Sequence, residues 1–139
     1  MRTEKCDVAI VGGGSAAFEA AVSARQNGAE KIVMLEKAPE EEFGGNARYS
    51  HTGFRFVYSG PDDIRDIVPD WDAEEFARFH IPAYTEEIFK GDLNRVTQGR
   101  IDQELADFMV SQSNSAVRWM YDSGIEFEPE KRREIDGKF

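Results

Sequence analysis

Apolar positions fall in short unbroken runs near the start of the chain and at helical intervals in its second half. Residues 6–11 form a brief apolar run rich in β-branched side chains, and Gly12, Gly13 and Gly14 follow it. An alanine-rich stretch over 15–27 comes next, then Gly28 where a left-handed residue would end a helix, then a second apolar run over 31–36. The pattern predicts strand, tight turn, helix, strand. A crossover helix joins strands that run parallel, so the two runs should lie side by side with the helix on one face.

From residue 37 to about 70 the periodicity disappears, and Pro39, Gly44, Gly45, Gly53, Gly60, Pro61 and Pro69 punctuate a long loop, a length that is usually functional or disordered. The acidic run Glu40, Glu41, Glu42 reads as solvated surface. Asp72 and Glu75 have the spacing of a capping box, and Phe76, Phe79 and His80 continue at helical spacing until Pro82 interrupts. On that apolar face His80 reads as a core histidine. A helix should resume over 83–90. Another should open at Asp102, present Leu105, Phe108, Met109, Val117 and Met120 on one side and end at Gly124, with a short strand over 125–127 beyond it. The expected class is α/β: a Rossmann-like β-α-β unit with its loop over 1–70, then a mainly helical region over 71–139.

Composition narrows the partners. The 40% hydrophobic and 12% aromatic content of these 139 residues is enough for an ordinary core. A net charge of -10 repels a phosphate backbone and argues against nucleic acid and anionic membrane surfaces. With Cys6 alone there is no internal disulfide and no zinc-ligand spacing, so no metal is expected and a reducing cytoplasm fits best. The charged start lacks the pattern of a signal peptide, and no apolar run approaches the roughly 20 residues of a membrane span.

An acidic chain can still bind an anion through its backbone. The segment from Gly12 to Ala17 satisfies G-x-G-x-x-A: Gly12 permits the sharp turn, Gly14 removes the side chain that would block a pyrophosphate, and Ala17 lets helix and strand pack closely. The helix opening at Ser15 and Ala16 would aim its free N–H groups and positive dipole end at the phosphates. Glu36 lies about 20 residues beyond the turn, where an acidic side chain accepts hydrogen bonds from a ribose hydroxyl. This turn serves FAD and NAD alike.

Val11 to Ala17, then Leu35, Glu36 and Lys37, then Gly44, Gly45 and Asn46 together resemble the flavoprotein subunits of the fumarate reductase and succinate dehydrogenase family, nearest among its branches to the FAD-dependent tricarballylate dehydrogenases. The likeness is strong over 6–53 and looser over 71–127. It implies FAD as cofactor, with the Gly-Gly-Asn loop beside the pyrophosphate. It also implies hydride transfer between flavin N5 and a carbon–carbon bond of a small polycarboxylate such as tricarballylate or fumarate. The implied cofactor-binding residues are Gly12, Gly14, Ser15, Ala16, Ala17, Glu36, Lys37, Gly45, Asn46, Ala47, Thr52 and Gly53. Thr52 departs from the family's second glycine pair, and Ala47 offers only its backbone where the family often has Ser or Thr. In register, the family's flavin-linking histidine falls near Asn46 rather than His51, so His51 reads as a surface or substrate-facing residue. Arg48 and Arg55 are either solvent-facing or placed to meet a carboxylate.

No catalytic residue of that family can be matched within the chain. Two strands cannot complete a doubly wound sheet, so the chain is expected to be an inactive part of a longer flavoprotein, or to fold around another chain that supplies the missing strands. An electron-transfer partner is a further expectation. The alternatives are an NAD-dependent dehydrogenase half and a non-catalytic interaction module.

Overall fold

The computed structural model describes residues 3–50 and 53–129. The chain divides into two compact units, Met1–Thr52 and Gly53–Phe139. His51 and Thr52 lie outside the described residues.

In the first unit, strands β1 (Val8–Val11) and β2 (Ile32–Leu35) pair in parallel, in register from Val8 opposite Ile32 to Val11 opposite Leu35. Both are shorter than the apolar runs. Cys6 and Asp7 precede β1 because Asp7 serves a different purpose: its carboxylate accepts from the N–H groups of Glu30 and Lys31 (2.9 and 2.8 Å) and ties the entry of β2 to that of β1. Between the strands runs α1 (Ser15–Gln26), which packs on both. Ala17 is buried and Ala21 and Ala24 are half-buried, at the i, i+4, i+7 spacing of one helical face, so small side chains bring helix and sheet close. The helix ends at Asn27, and Gly28 follows with positive φ.

The long loop is more ordered than the sequence implies. Tight 3-10 turns form at Glu40–Glu42 and Gly45–Tyr49. In the second unit, α2 (Pro61–Arg65) starts on a proline whose locked φ suits a first helical position. Elements this short have no periodicity to read.

The second unit is built from helices. α3 (Ala73–Phe76) is capped by Asp72, whose side chain accepts from the Glu75 N–H at 2.8 Å. His80 corrects the expectation for it: it lies beyond that one-turn helix and is exposed rather than in the core. α4 (Glu86–Thr97) begins later than expected because Thr85 is its cap and Tyr84 is held in an antiparallel bridge with Tyr58. It also runs past Lys90, through polar residues that hide its continuation. α5 (Gln103–Asp122) is capped by Asp102 and closes near Gly124, as the sequence indicates. No strand forms over 125–127; the Ile125 N–H returns to the Met120 carbonyl, and Phe127 stands edge-on to Phe54.

Phe56, Ile67, Val68, Val117 and Met120 form the core of this unit, with Tyr58, Trp71, Phe76 and Trp119 among the side chains packed around it. The buried face of α5 is Ala106, Val110, Val117 and Met120, whereas Leu105, Phe108 and Met109 are exposed. Of the expected apolar set, only Val117 and Met120 are buried. The extended segment before Tyr58 is tied to α5 by side chains: Ser113 Oγ accepts from the Val57 N–H (3.0 Å) and Asn114 Nδ2 donates to the Val57 carbonyl (2.8 Å).

Candidate nucleotide site

The three glycines after β1 meet three different requirements. Gly12, whose N–H donates to the Leu35 carbonyl at 2.8 Å, turns the chain away from the sheet with φ +115°, where a side chain is strained. Gly13 is buried, and its requirement is room. A Cβ there would stand 2.6 and 2.9 Å from Cε2 and Cζ of Phe43 and 2.9 Å from Oε2 of Glu36. Gly14 has neither constraint: its backbone is extended (φ −85°, ψ −178°), and a Cβ would meet only the Gly44 carbonyl oxygen at an ordinary 3.7 Å.

Gly14 is also the N-cap of α1, with no side chain to occupy the helix end. Its carbonyl accepts from the N–H groups of Ala17 (2.9 Å) and Phe18 (3.3 Å). Ser15 and Ala16 open the helix, are exposed, and belong to the set of first-turn N–H donors that have no partner within a helix. The first turn of α1 contains no acidic residue, whereas α2, α3, α4 and α5 each carry one or two there. In those four helices a first-turn carboxylate compensates the positive dipole end; the first turn of α1 has none.

The Gly-Gly-Asn loop returns to the same place. Gly45, at φ +57°, lies so close to the turn that its Cβ would stand 3.4 Å from Cα of Gly14. Asn46 and Ala47 follow in an exposed 3-10 turn, where the Ala47 carbonyl accepts from the N–H and hydroxyl of Ser50 (3.3 and 3.1 Å). Arg48 in the same turn is exposed.

Glu36 follows β2 directly. Its Oε1 accepts from the Ala38 N–H at 2.8 Å. That bond, with smaller help from the N–H groups of Lys37 and Gly13, holds the carboxyl below the ordinary glutamate range against a modest desolvation effect. Lys37 is exposed beside it.

The structure therefore brings Gly12, Gly14, Ser15, Ala16, Ala17, Glu36, Lys37, Gly45, Asn46 and Ala47 into one unit, with Gly14 against Gly45 and Glu36 beside Gly13. Gly53 is exposed and belongs to the other unit, and Thr52 lies outside the described residues. Arg55, in that second unit, is engaged by Asp92 (3.3 Å) and stands over the Tyr84 ring. The sequence reading assigned nothing to Gly13, Phe18 or Phe43. A glycine at the position the motif leaves free, and an aromatic residue immediately before Gly44, were the available signals.

Residues 7–138 match the model of the FAD binding domain. The chain belongs to that family. It is 25% identical over 135 residues to L-aspartate oxidase of Vibrio cholerae serotype O1, a match covering 97% of this chain and 20% of that protein. It is 31% identical over 120 residues to fumarate reductase (cytochrome) of Shewanella frigidimarina, covering 86% of this chain and 18% of that protein. The chain thus spans about a fifth of the length of these relatives. The likeness to fumarate reductase flavoproteins read from the sequence is borne out, and so is FAD as the cofactor of this FAD-binding domain. Among the described residues, no helix is long and apolar enough to cross a membrane.

Proposed function

We propose that this FAD-binding domain holds the ADP half and pyrophosphate of FAD in a cytoplasmic flavin-dependent oxidoreductase acting on a carbon–carbon bond of a small polycarboxylate, such as tricarballylate or fumarate. In this reading the nucleotide is carried within residues 1–70, and the mainly helical region that follows belongs to the same flavoprotein. The observation that carries the reading is Gly14. Neither its backbone angles nor its neighbours require glycine, so the missing side chain is explained by a ligand that approaches the backbone closely.

Each residue then has a physical task. Gly12 turns the chain so that α1 points at the phosphates, and the N–H groups of Ser15 and Ala16 donate to phosphate oxygens at a helix end with no carboxylate of its own. Ala17 keeps helix and sheet close. Gly45 brings the Gly-Gly-Asn loop against Gly14, and in this reading Asn46 and the backbone of Ala47 lie beside the pyrophosphate. Glu36, its carboxyl held below the ordinary glutamate range by backbone hydrogen bonds, accepts from the ribose hydroxyls, with Lys37 next to it. When bound, FAD supplies the hydride-transferring ring.

The experiment is Gly14→Ala and Gly14→Val in the full-length protein, with flavin content and FAD affinity measured after purification. Gly14→Ala should fold normally and bind FAD more weakly, and Gly14→Val should lose the cofactor. Full flavin content in both variants overturns the site. Turnover with fumarate-like and tricarballylate-like acids tests the substrate class. Activity on L-aspartate alone would instead favour the chemistry named for the Vibrio relative. Purification without a yellow chromophore, with affinity for NAD, would favour the dehydrogenase alternative, and no dinucleotide affinity at all would favour an interaction module.

A further inference from the structure

Glu36 and Phe43 come from opposite ends of the segment that follows β2 and meet over Gly13. The ring-edge atoms Cε2 and Cζ of Phe43 and the carboxylate oxygen Oε2 of Glu36 crowd the point where any residue but glycine would carry its Cβ, at 2.6, 2.9 and 2.9 Å. Gly13 does not have the positive φ that would make it glycine for backbone reasons, unlike Gly12 and Gly45. Its need is for the space that these two side chains fill.

Both side chains are also held from behind. The Phe43 ring stands edge-on to Phe18 of α1, with centroids 5.9 Å apart and planes at 81°, so the helix that carries the phosphate-facing N–H groups also sets the ring. Glu36 is anchored at Oε1 by the Ala38 N–H. The edge of an aromatic ring is the positive side of its quadrupole, which suits it to lie beside a carboxylate. A glutamate side chain has several rotatable bonds, and fixing it before a ligand arrives removes an ordering penalty from binding. A carboxylate has about four acceptor sites, so the backbone bonds leave capacity for ribose hydroxyls.

We infer that Gly13 and Phe43 are positioning residues that hold the Glu36 carboxylate in the orientation that receives the adenosine ribose, and so set the preference of the site for a ribose with a free 2'-hydroxyl. This rests on the proposed role of Glu36. Phe43 supplies the wall and Gly13 the room. A side chain at 13 pushes the carboxylate away, and loss of the ring lets it swing.

The test uses cofactor-free full-length protein, with FAD affinity read by quenching of flavin fluorescence and ADP against 2'-deoxy-ADP by calorimetry. Gly13→Ala and Phe43→Ala should each weaken FAD binding by about tenfold, the scale of a lost charge-assisted hydrogen bond. Each should also bring the ADP to 2'-deoxy-ADP preference close to one. In a Glu36→Ala background neither change should weaken binding further, because both act through the carboxylate. If both variants keep the preference, or if their losses add to that of Glu36→Ala, the positioning inference is overturned while the nucleotide reading stands. If Glu36→Ala alone leaves FAD affinity and the preference unchanged, the ribose role of Glu36 falls and the inference falls with it. Should Gly13→Ala fail to fold, Phe43→Ala decides the question alone.

Discussion

Among the described residues of the first unit only Gly13 and Ala17 are buried, whereas the second buries Phe56, Ile67, Val68, Phe89, Ala106, Val110, Val117 and Met120. The first unit is shaped by backbone: a parallel pair of four-residue strands, glycines at positive φ (Gly12, Gly28, Gly44 and Gly45), N–H groups bonded to the carboxylates of Asp7 and Glu36, and two glycine segments in contact. Several of its larger apolar side chains, Val11, Phe18, Val22 and Leu35 among them, remain exposed. The second unit is shaped by side chains that pack and by polar groups that tie segments together, such as Arg118, which reaches Asp63 at 2.9 Å and Asp66 at 3.0 Å. A region that presents backbone to a ligand has little to bury; a region that packs helices depends on burial.

The largest test of that contrast is Phe56→Ala, which removes a ring from the core of the second unit. It should destabilise that unit by about 3–5 kcal/mol. Trp71 and Trp119 both lie there, so urea unfolding followed by tryptophan fluorescence reports it directly. A loss under about 1 kcal/mol would break the comparison, since cavity formation in a true core exceeds that.

Gly12→Ala comes next. No atom crowds the site, so the whole effect is backbone strain at φ +115°, about 1–3 kcal/mol. Hydrogen exchange of the β1 and β2 amides should show it. Protection equal to that of the unaltered protein would mean that backbone angle is not what holds the turn.

A smaller effect is expected at Asp102, whose side chain accepts from the Leu105 N–H at 3.0 Å and caps the 20-residue α5. Asp102→Ala should lower the stability of the second unit by about 1 kcal/mol and Asp102→Asn by much less, because the amide oxygen still accepts. Equal losses in the two variants would assign the effect to charge rather than capping.

The smallest effect is pH-dependent and belongs to the first unit. The N–H groups of Lys31 and Glu30 hold the Asp7 carboxyl below its usual range, and the Ala38 N–H does the same for Glu36. Each folded pKa lies below the unfolded one, so the stabilisation is fully present above the ordinary carboxylate range. It is lost as pH falls through the lowered folded values. Asp7→Asn should therefore flatten the acid limb of the stability of β1 and β2, measured by hydrogen exchange from neutral pH downwards. An unchanged limb would remove Asp7 from the account.

Legibility followed the same division. Gly12 and the alanine-rich helix were readable because the turn places its demands on particular residue types at particular spacings. The capped helix from Asp102 was readable for the same reason. Gly13 and Phe43 were not, because their importance comes from a contact between segments some 30 positions apart. His80 misled because Phe76 and Phe79 suggest a helical face, while the helix stops after one turn. Leu105, Phe108 and Met109 misled because periodicity gives the angular spacing of apolar residues but not which stripe meets a neighbour.

By itself, the sequence determined the order strand, glycine turn, helix, strand, the carboxylate beyond it, the helical second half and the family likeness. These follow from local rules: which residues accept a left-handed angle, cap a helix end or alternate in a strand. Only the tertiary structure decided that the Gly-Gly-Asn loop lies on Gly14, that Gly13 is buried beneath Phe43 and Glu36, and that α5 turns Ala106, Val110, Val117 and Met120 inward. Those choices depend on which distant surfaces approach within van der Waals reach, a property of the folded chain that no window of neighbouring residues contains.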